Sequence, residues 1–540
     1  MFRSLIFLVA SAMSVSEALA IPPEAQVGLV RYALATEQLA PVLAFADSLE
    51  GESAGFLRAV MLLDSGNVQQ GLDELRKVTE GQNHRGQAAL ILGSHMLAQG
   101  HPDEAQPWFQ MAAKAGTGDT RQHALYELAE LARLNGQTDR AGQVLADMTA
   151  GYWAAVGYLN LSTDYAQKDS NPARALVSLR VALAMAEKDS VSDRSTQLKS
   201  RLLVRAGYLT YKQGDYDKAI SFLEKVPLDS YNTPEALYLH GLALSERGHF
   251  RTAMQSWHRA KKYPLAYPGV ANAWLGMGRG YDLSGYLGQA GEAYLAANAA
   301  FEGERVTLKK LAEKIRKDGA YKVLVTDARH SDLEWFLADS RTLTQPRMAY
   351  LLEFLESPQA QTAVNRVAKL KALDSQLERQ IQDLIVFADA LKEQLSDLSH
   401  QRSRAPASDL IQQQKALQQA LGDVSSAAAT EQQKQQLSAI NQTLAATSSR
   451  LDNLDSRVAG RPAELKQQLE QARSLRADSD HYLAVTSRLT ASAEDVLDKL
   501  ALAFVAEQDQ RMAFALDKTE QQIAHLYEYL ALENLGEGKP

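Results

Sequence analysis

Glycines recur through the first half of the chain at intervals close to 34 residues, and this spacing constrains the fold more than any other feature. The intervals are 34, 36, 78, 34 and 37 residues, and the long one leaves room for a further repeat without the glycine. A period of this length predicts stacked helix–turn–helix hairpins, in which glycine takes a left-handed backbone conformation at each turn. The predicted turn glycines are Gly66, Gly100, Gly136, Gly214, Gly248 and Gly285.

The clearest copy of the repeat runs from Trp274 to Ala297. A small residue at its eighth position or its twentieth lets two helices approach closely, and the large residue at its twenty-fourth packs into the next repeat. Three further copies follow the same pattern from Gly93, Gly207 and Gly241. Weaker copies occupy residues 55–78, 122–149 and 156–186. The best copy consists of Trp274, Met277, Gly278, Tyr281, Gly285, Ala290, Tyr294 and Ala297.

On these residues the segment 50–304 resembles the tetratricopeptide-repeat family, with Met for Leu at 277 and Tyr for Phe at 294. The resemblance implies an all-α fold, a right-handed superhelix of helix pairs, which binds partner proteins and does no chemistry. The family lines its groove with set positions of the first helix of each repeat. Carried over, these positions select Tyr126, Arg133, Tyr208, Tyr211, Lys212, Tyr238 and Arg279, with Glu130, Val204, Glu246, Asn272 and Asp282.

Tyrosines and cations dominate the predicted partner-binding groove. Such side chains suit an extended peptide or a glycan, because they offer stacking surfaces and charge-assisted hydrogen bonds. The alternative is that the tyrosines only pack between neighbouring repeats.

The first 20 residues read as a secretory signal peptide. Arg3 is a short basic region, residues 5–13 are apolar, and Ala18-Leu19-Ala20 is a small-residue cleavage site. The apolar stretch is too short to span a bilayer. We therefore expect an exported chain that begins with the repeat array over residues 21–304, its first helical pair at 24–50 acting as a cap, and a periplasmic location.

The composition changes beyond the repeats. Residues 305–358 are predicted to be divergent helices that close the array, with Tyr321–Val325 as a buried link or a strand. From 359 to 531 apolar residues recur with three- and four-residue spacing, which is typical of coiled coils. We predict three long helices there, 359–400, 407–459 and 462–531, because Pro406 and Pro462 suit first helical turns. A local break is expected within 422–436. Residues 532–540 are predicted to be a disordered tail.

Charge and composition exclude several classes of function. The net charge of −8 and pI near 5.8 give no electrostatic basis for nucleic-acid binding, and the absence of cysteine excludes disulfides and thiolate sites. No catalytic motif is found, so we expect no enzyme activity, cofactor or metal site. An enzyme remains an alternative only through Asp327, His330, Asp332 and Glu334, the one local polar cluster after the repeats.

The sequence thus predicts a non-enzymatic periplasmic scaffold. The repeat groove would hold a protein partner, and the coiled coil would provide reach or homo-oligomerise. Membrane contact is expected only through partners. We expect this scaffold to act in a cell-envelope machine, either of the Tol or TonB type or in a motility or pilus apparatus. One alternative is that it is the scaffold of an exopolysaccharide export complex, and a further alternative is that it is a structural coiled-coil rod.

Overall fold

The computed structural model describes residues 23–35, 53–64, 66–169, 171–189, 191–326, 346–402, 407–426 and 431–537. Within these ranges the regular structure is helical and no strand occurs, so the predicted all-α class is confirmed. None of the described helices is long and apolar enough to cross a membrane. The predicted signal peptide and residues 36–50 of the predicted cap lie outside the described residues.

The described part of the repeat region contains seven consecutive helix pairs. A preceding helix, α1 (Pro23–Ala35), buries Val30 and Ala33 against Leu57 and Met61 of the first pair. The pairs are α2 (Ala54–Asp64) with α3 (Val68–Glu80), α4 (Arg85–Ala98) with α5 (Pro102–Ala115), α6 (Gly118–Leu134) with α7 (Thr138–Ala146), α8 (Tyr152–Lys168) with α9 (Ala173–Ala186), α10 (Ser192–Lys212) with α11 (Tyr216–Leu223), α12 (Thr233–Glu246) with α13 (Phe250–Ala260), and α14 (Val270–Leu283) with α15 (Leu287–Asp318).

Every predicted turn glycine lies between the two helices of a pair and has a positive φ. The values run from 76° at Gly136 to 87° at Gly66. A side chain disfavours this left-handed region, which explains why glycine marks the turns. In the fourth pair, whose turn lacks glycine, the side chain of Asn171 instead accepts a hydrogen bond from the backbone N–H of Ala173 at 2.9 Å.

A second set of glycines holds the two helices of a pair in contact. In four pairs a glycine of the first helix lies against a large side chain 16 residues later, so close that an added Cβ would come within 2.3–2.7 Å of that side chain. The large side chains are buried. The four contacts are Gly93 with Phe109, Gly207 with Leu223, Gly241 with Trp257, and Gly278 with Tyr294.

The chain divides into two compact units. Unit 1 holds the described residues of Met1–Gly303, Glu334–Ala349 and Met512–Pro540, and unit 2 holds those of Glu304–Leu333 and Tyr350–Arg511. The remaining helices are α16 (Pro346–Phe354), α17 (Pro358–Arg402), α18 (Ala407–Ser426) and α19 (Glu431–Glu537). Described residues just after the repeat region, from Glu304 to Thr326, therefore belong with the long helices in unit 2.

Within unit 2, α17 and α19 pack against each other antiparallel. Ala388 and Leu391 of α17 share a buried cluster with Leu465 and Leu469 of α19. Towards the other end of the pair, Thr490 donates a hydrogen bond to Asp374 at 3.0 Å. Residue numbers along α17 fall from 391 to 374 where those along α19 rise from 465 to 490, so the two helices are antiparallel. The coiled-coil segment thus folds back on itself within one chain.

Three predictions about individual elements are wrong in part. The predicted disordered tail at 532–540 starts too early, because α19 continues as a helix to Glu537. Pro462 lies inside α19 rather than at a helix start, so the predicted boundary at 459–462 is wrong. Proline removes a single backbone hydrogen bond, which a helix of 107 residues can lose without ending. The Tyr321–Val325 segment is a π-helix, Tyr321–Thr326, with three buried residues; the link reading is correct and the strand reading is wrong.

A half-buried carboxyl in unit 2 gives a testable dependence on pH. Burial raises the pKa of Glu304 above its ordinary value of 4.5, although a hydrogen bond from the buried Tyr350 hydroxyl opposes the rise. The unfolded chain therefore releases this proton at lower pH than the folded chain, and stability falls as pH rises from 4.5 through the raised pKa. We expect Glu304→Gln to unfold at a higher temperature than the unaltered chain at neutral pH, with the difference shrinking on acidification. Circular dichroism melts across this range test it, and an equal shift at every pH would contradict it.

Candidate partner-binding face

The first helices of successive repeats contact one another in a row: α6 with α8, α8 with α10, α10 with α12, and α12 with α14. The seven predicted groove residues lie on four of these helices, α6, α10, α12 and α14, and none of them lies on α8. The row is what the repeat spacing requires, because residues one period apart occupy equivalent positions in neighbouring hairpins. We call its side-chain surface the inner row.

Tyr126 and Arg133, the first two predicted residues, belong to a polar network between α6 and α8. Arg133 donates hydrogen bonds to Glu130 at 2.9 Å and to Asp164 at 3.0 Å. Asn160 donates to Glu130 at 3.0 Å. Burial, with the charge of Glu130 beside it, raises the pKa of Tyr126 to about 12. These side chains are engaged with one another, so this part of the row holds two repeats together.

Arg133→Ala should therefore act on stability. It would leave Glu130 and Asp164, both largely shielded from solvent, without their cation. We expect unit 1 to lose about 1–3 kcal/mol, the cost of leaving buried polar groups without a partner. Chemical denaturation followed by tryptophan fluorescence measures it. Arg279→Ala is the matched control, since that arginine is exposed on the same row; equal losses for the two variants would contradict the assignment.

The remaining groove residues come together on α10, α12 and α14. Tyr211 and Tyr238 are half-buried, and burial raises the pKa of Tyr238 to about 12, with Tyr211 adding to the shift and Arg279 opposing it. Burial also raises the pKa of Tyr211, helped by the charge of Glu246. These interactions place Tyr211, Tyr238, Glu246 and Arg279 in one patch.

Exposure separates this patch into two layers. The supporting layer is the half-buried Tyr211 and Tyr238, and the accessible layer is the exposed Tyr208, Lys212 and Arg279. Tyr211 packs its ring 5.7 Å from that of Tyr216, centroid to centroid. The guanidinium of Arg205 lies 5.9 Å from the centre of the Tyr208 ring. A ligand could therefore reach one aromatic face and two cations, supported from below by the half-buried tyrosines.

Three further candidates from the sequence differ in their surroundings. Val204 is only 5% exposed and packs in the core with Leu223 and Leu239, so its predicted place in the groove is wrong. Asn272 is exposed and Asp282 is half-buried. The prediction fails for Val204 because on this helix the carried-over position faces the core shared by α10, α11 and α12.

Sequence reasoning missed residues that complete the inner row. Trp153 stacks on His123 with ring centroids 3.8 Å apart, and its indole N–H donates to Asp119 at 3.0 Å. Asp119 and Trp153 are 34 residues apart, as are Tyr126 and Asn160. Pairing each residue with the one a full repeat later would have found both contacts.

The described residues hold no group of three or more metal-ligating side chains placed to bind an ion. The polar cluster Asp327, His330, Asp332 and Glu334, on which the enzyme alternative depends, lies outside the described residues. That alternative therefore stays a prediction.

No family model and no curated protein matches the chain. Among solved structures, it is similar to the MamA protein, with 19% identity over 33% of this chain and 91% of that one, and a TM-score of 0.25. It is also similar to a tetratricopeptide repeat protein from Parabacteroides merdae, with 14% identity over 44% and 92% and a TM-score of 0.28. A Rap protein complexed with competence and sporulation factor aligns at 15% identity over 63% and 99%, with a TM-score of 0.24.

The geometry of the hairpins defines the fold of the repeat region. Seven consecutive helix pairs, glycines with positive φ at their turns, and glycine-to-large-residue contacts 16 positions apart are the features of one repeat type. The repeat region therefore has an all-α fold of tetratricopeptide-type helix hairpins.

Proposed function

We propose that unit 1 is a scaffold that binds an extended segment of a partner protein along the inner row. The accessible layer of Tyr208, Lys212 and Arg279 supports this most directly. An exposed aromatic ring with a lysine one helical turn away and an exposed arginine on the same row suits a peptide that carries acidic or apolar side chains, because the ring stacks while the cations pair with carboxylates. The proposed role is binding without catalysis.

We also propose that the protein is exported and works in the periplasm, in a cell-envelope assembly of the Tol or TonB type or in a motility or pilus apparatus. The basic, apolar and small-residue order of residues 1–20 supports export. Cell fractionation and N-terminal sequencing test it: the expected chain is periplasmic and starts at Ile21. A cytoplasmic chain that retains Met1 would overturn this part of the proposal.

Photo-crosslinking in cells tests the binding face. A photoreactive phenylalanine in place of Tyr208 should capture a defined partner. The same amino acid in place of Val177, which is exposed on the second helix of its pair, is the control. The identified partner, once purified, should then bind the unaltered protein in solution. Capture of the same partner from both positions, or binding by the purified partner that is unaffected by changes at the accessible layer, would overturn the proposal.

A further inference from the structure

One side of the α17–α19 pair in unit 2 exposes large apolar side chains. Leu475, Tyr482, Leu489 and Val496 follow one another on α19 at intervals of seven residues, and each is between 49% and 60% exposed. A strict seven-residue period keeps to one side of a helix only when that helix supercoils with another, since a straight helix drifts by about 20° per heptad. Because α19 already packs along α17, the stripe stays on one side of that pair.

The neighbouring helix adds to the same side. Arg366 of α17 and Val496 of α19 line one open groove of about 450 Å³. Steps of seven residues from Arg366 lead to Leu373, Gln380 and Phe387, and steps from Val496 lead down the α19 stripe. Leu373 and Phe387 are 41% and 43% exposed. Leu373, Phe387, Leu475, Tyr482, Leu489 and Val496 thus share one side of the pair, which we call the open face.

The open face is symmetric about its own centre. On α17, Leu373 and Phe387 each lie seven residues from Gln380. On α19 the stripe is centred between Tyr482 and Leu489. The contacts of Asp374 with Thr490 and of Lys371 with Glu494 fix the axial register between α17 and α19. In this register Gln380 lies beside the centre of the α19 stripe.

From this symmetry we propose that the open face binds the open face of a second copy of this chain. A two-fold axis through the centre, perpendicular to the helices, sets Leu475 of one copy opposite Val496 of the second. It likewise sets Tyr482 opposite Leu489, and Leu373 opposite Phe387. Two antiparallel pairs then form a four-helix bundle, in which each pair covers the exposed side of the other.

The size of the face fits this occupant. The stripe spans 22 residues, or about 33 Å, and two adjacent helices are about 20 Å wide, so each copy would contribute about 650 Å². The total of about 1,300 Å² falls within the range of specific protein interfaces. The proposal does not depend on the partner-binding role of unit 1, and the two can fail separately.

Analytical ultracentrifugation of the full chain lacking residues 1–20 tests the proposal. The unaltered protein should show a concentration-dependent monomer–dimer equilibrium. Leu489→Glu places a charge near the centre of the apolar face, and we expect the dissociation constant to rise at least about tenfold. Val386→Glu is the matched control: Val386 is 69% exposed on the same pair, but the buried Ala388 two residues later shows that it points away from α19. A monomer at every concentration, or an equal effect of both variants, would overturn the proposal.

A crosslink tests the arrangement of the copies. The chain contains no cysteine, so a single introduced thiol gives an unambiguous result. Val485 lies between Tyr482 and Leu489, next to the proposed two-fold axis, and Val485→Cys should form a disulfide between two copies under mild oxidation. Val386→Cys should not. Failure of Val485→Cys to crosslink, with its circular dichroism spectrum unchanged, would overturn the antiparallel arrangement even if a dimer forms.

Discussion

Replacing Gly278 with leucine is expected to destabilise unit 1 by about 1–3 kcal/mol, the usual cost of overpacking a filled core. A Cβ at this position would lie 2.4 Å from the ring of Tyr294, which is only 2% exposed and has no room to move outward. Either the ring must leave its pocket or α14 and α15 must separate. Both responses weaken the contact that closes the seventh repeat.

Tryptophan fluorescence during denaturation reports on this unit, because Trp108, Trp153, Trp257 and Trp274 all belong to it. Gly288→Leu is the control, since a Cβ there meets nothing within 4 Å. The unaltered protein and the control should unfold at similar denaturant concentrations, and Gly278→Leu at a lower one. An unchanged midpoint for Gly278→Leu would show that the repeat register assigned to the best copy is wrong.

The repeats could be predicted because their rules are local. A glycine at a turn and a glycine 16 residues before a large side chain each leave a mark on the sequence, and Gly278 with Tyr294 is an example. The boundary at Pro462 could not be predicted in the same way. Proline favours a helix start by a modest free energy, and the packing of a long helix outweighs it.

The sequence pattern predicts that the candidate residues lie on neighbouring helices, but not which of them are engaged in packing. Arg133 and Arg279 occupy equivalent kinds of position in the sequence pattern, yet one pairs with Glu130 and Asp164 and the other is exposed. The difference depends on Asp164, a residue of the next repeat. Only the packed structure shows that Arg133 is engaged and that Tyr208 is accessible.

Because Tyr208 and Arg279 are accessible, replacing them should have a large effect on the affinity for the partner. We expect the double variant Tyr208→Ala, Arg279→Ala to weaken binding of the captured partner about 10- to 100-fold, the range for removing an aromatic and an arginine contact from an interface. The loss of stability should be small, because Arg279 is exposed and Tyr208 is 37% exposed. Affinity measured with the purified partner, together with the unfolding midpoint, separates the two consequences.

Tyr211→Ala provides the contrast within the same patch. Its ring is half-buried against Tyr216, so its removal should lower stability as well as affinity. If the double variant instead unfolds early and Tyr211→Ala does not, the accessible layer is a packing layer and the partner binds elsewhere. If affinity and stability both stay unchanged in the double variant, the inner row is not the binding face. Loss of affinity at constant stability is the one result that supports a docking surface formed by Tyr208 and Arg279.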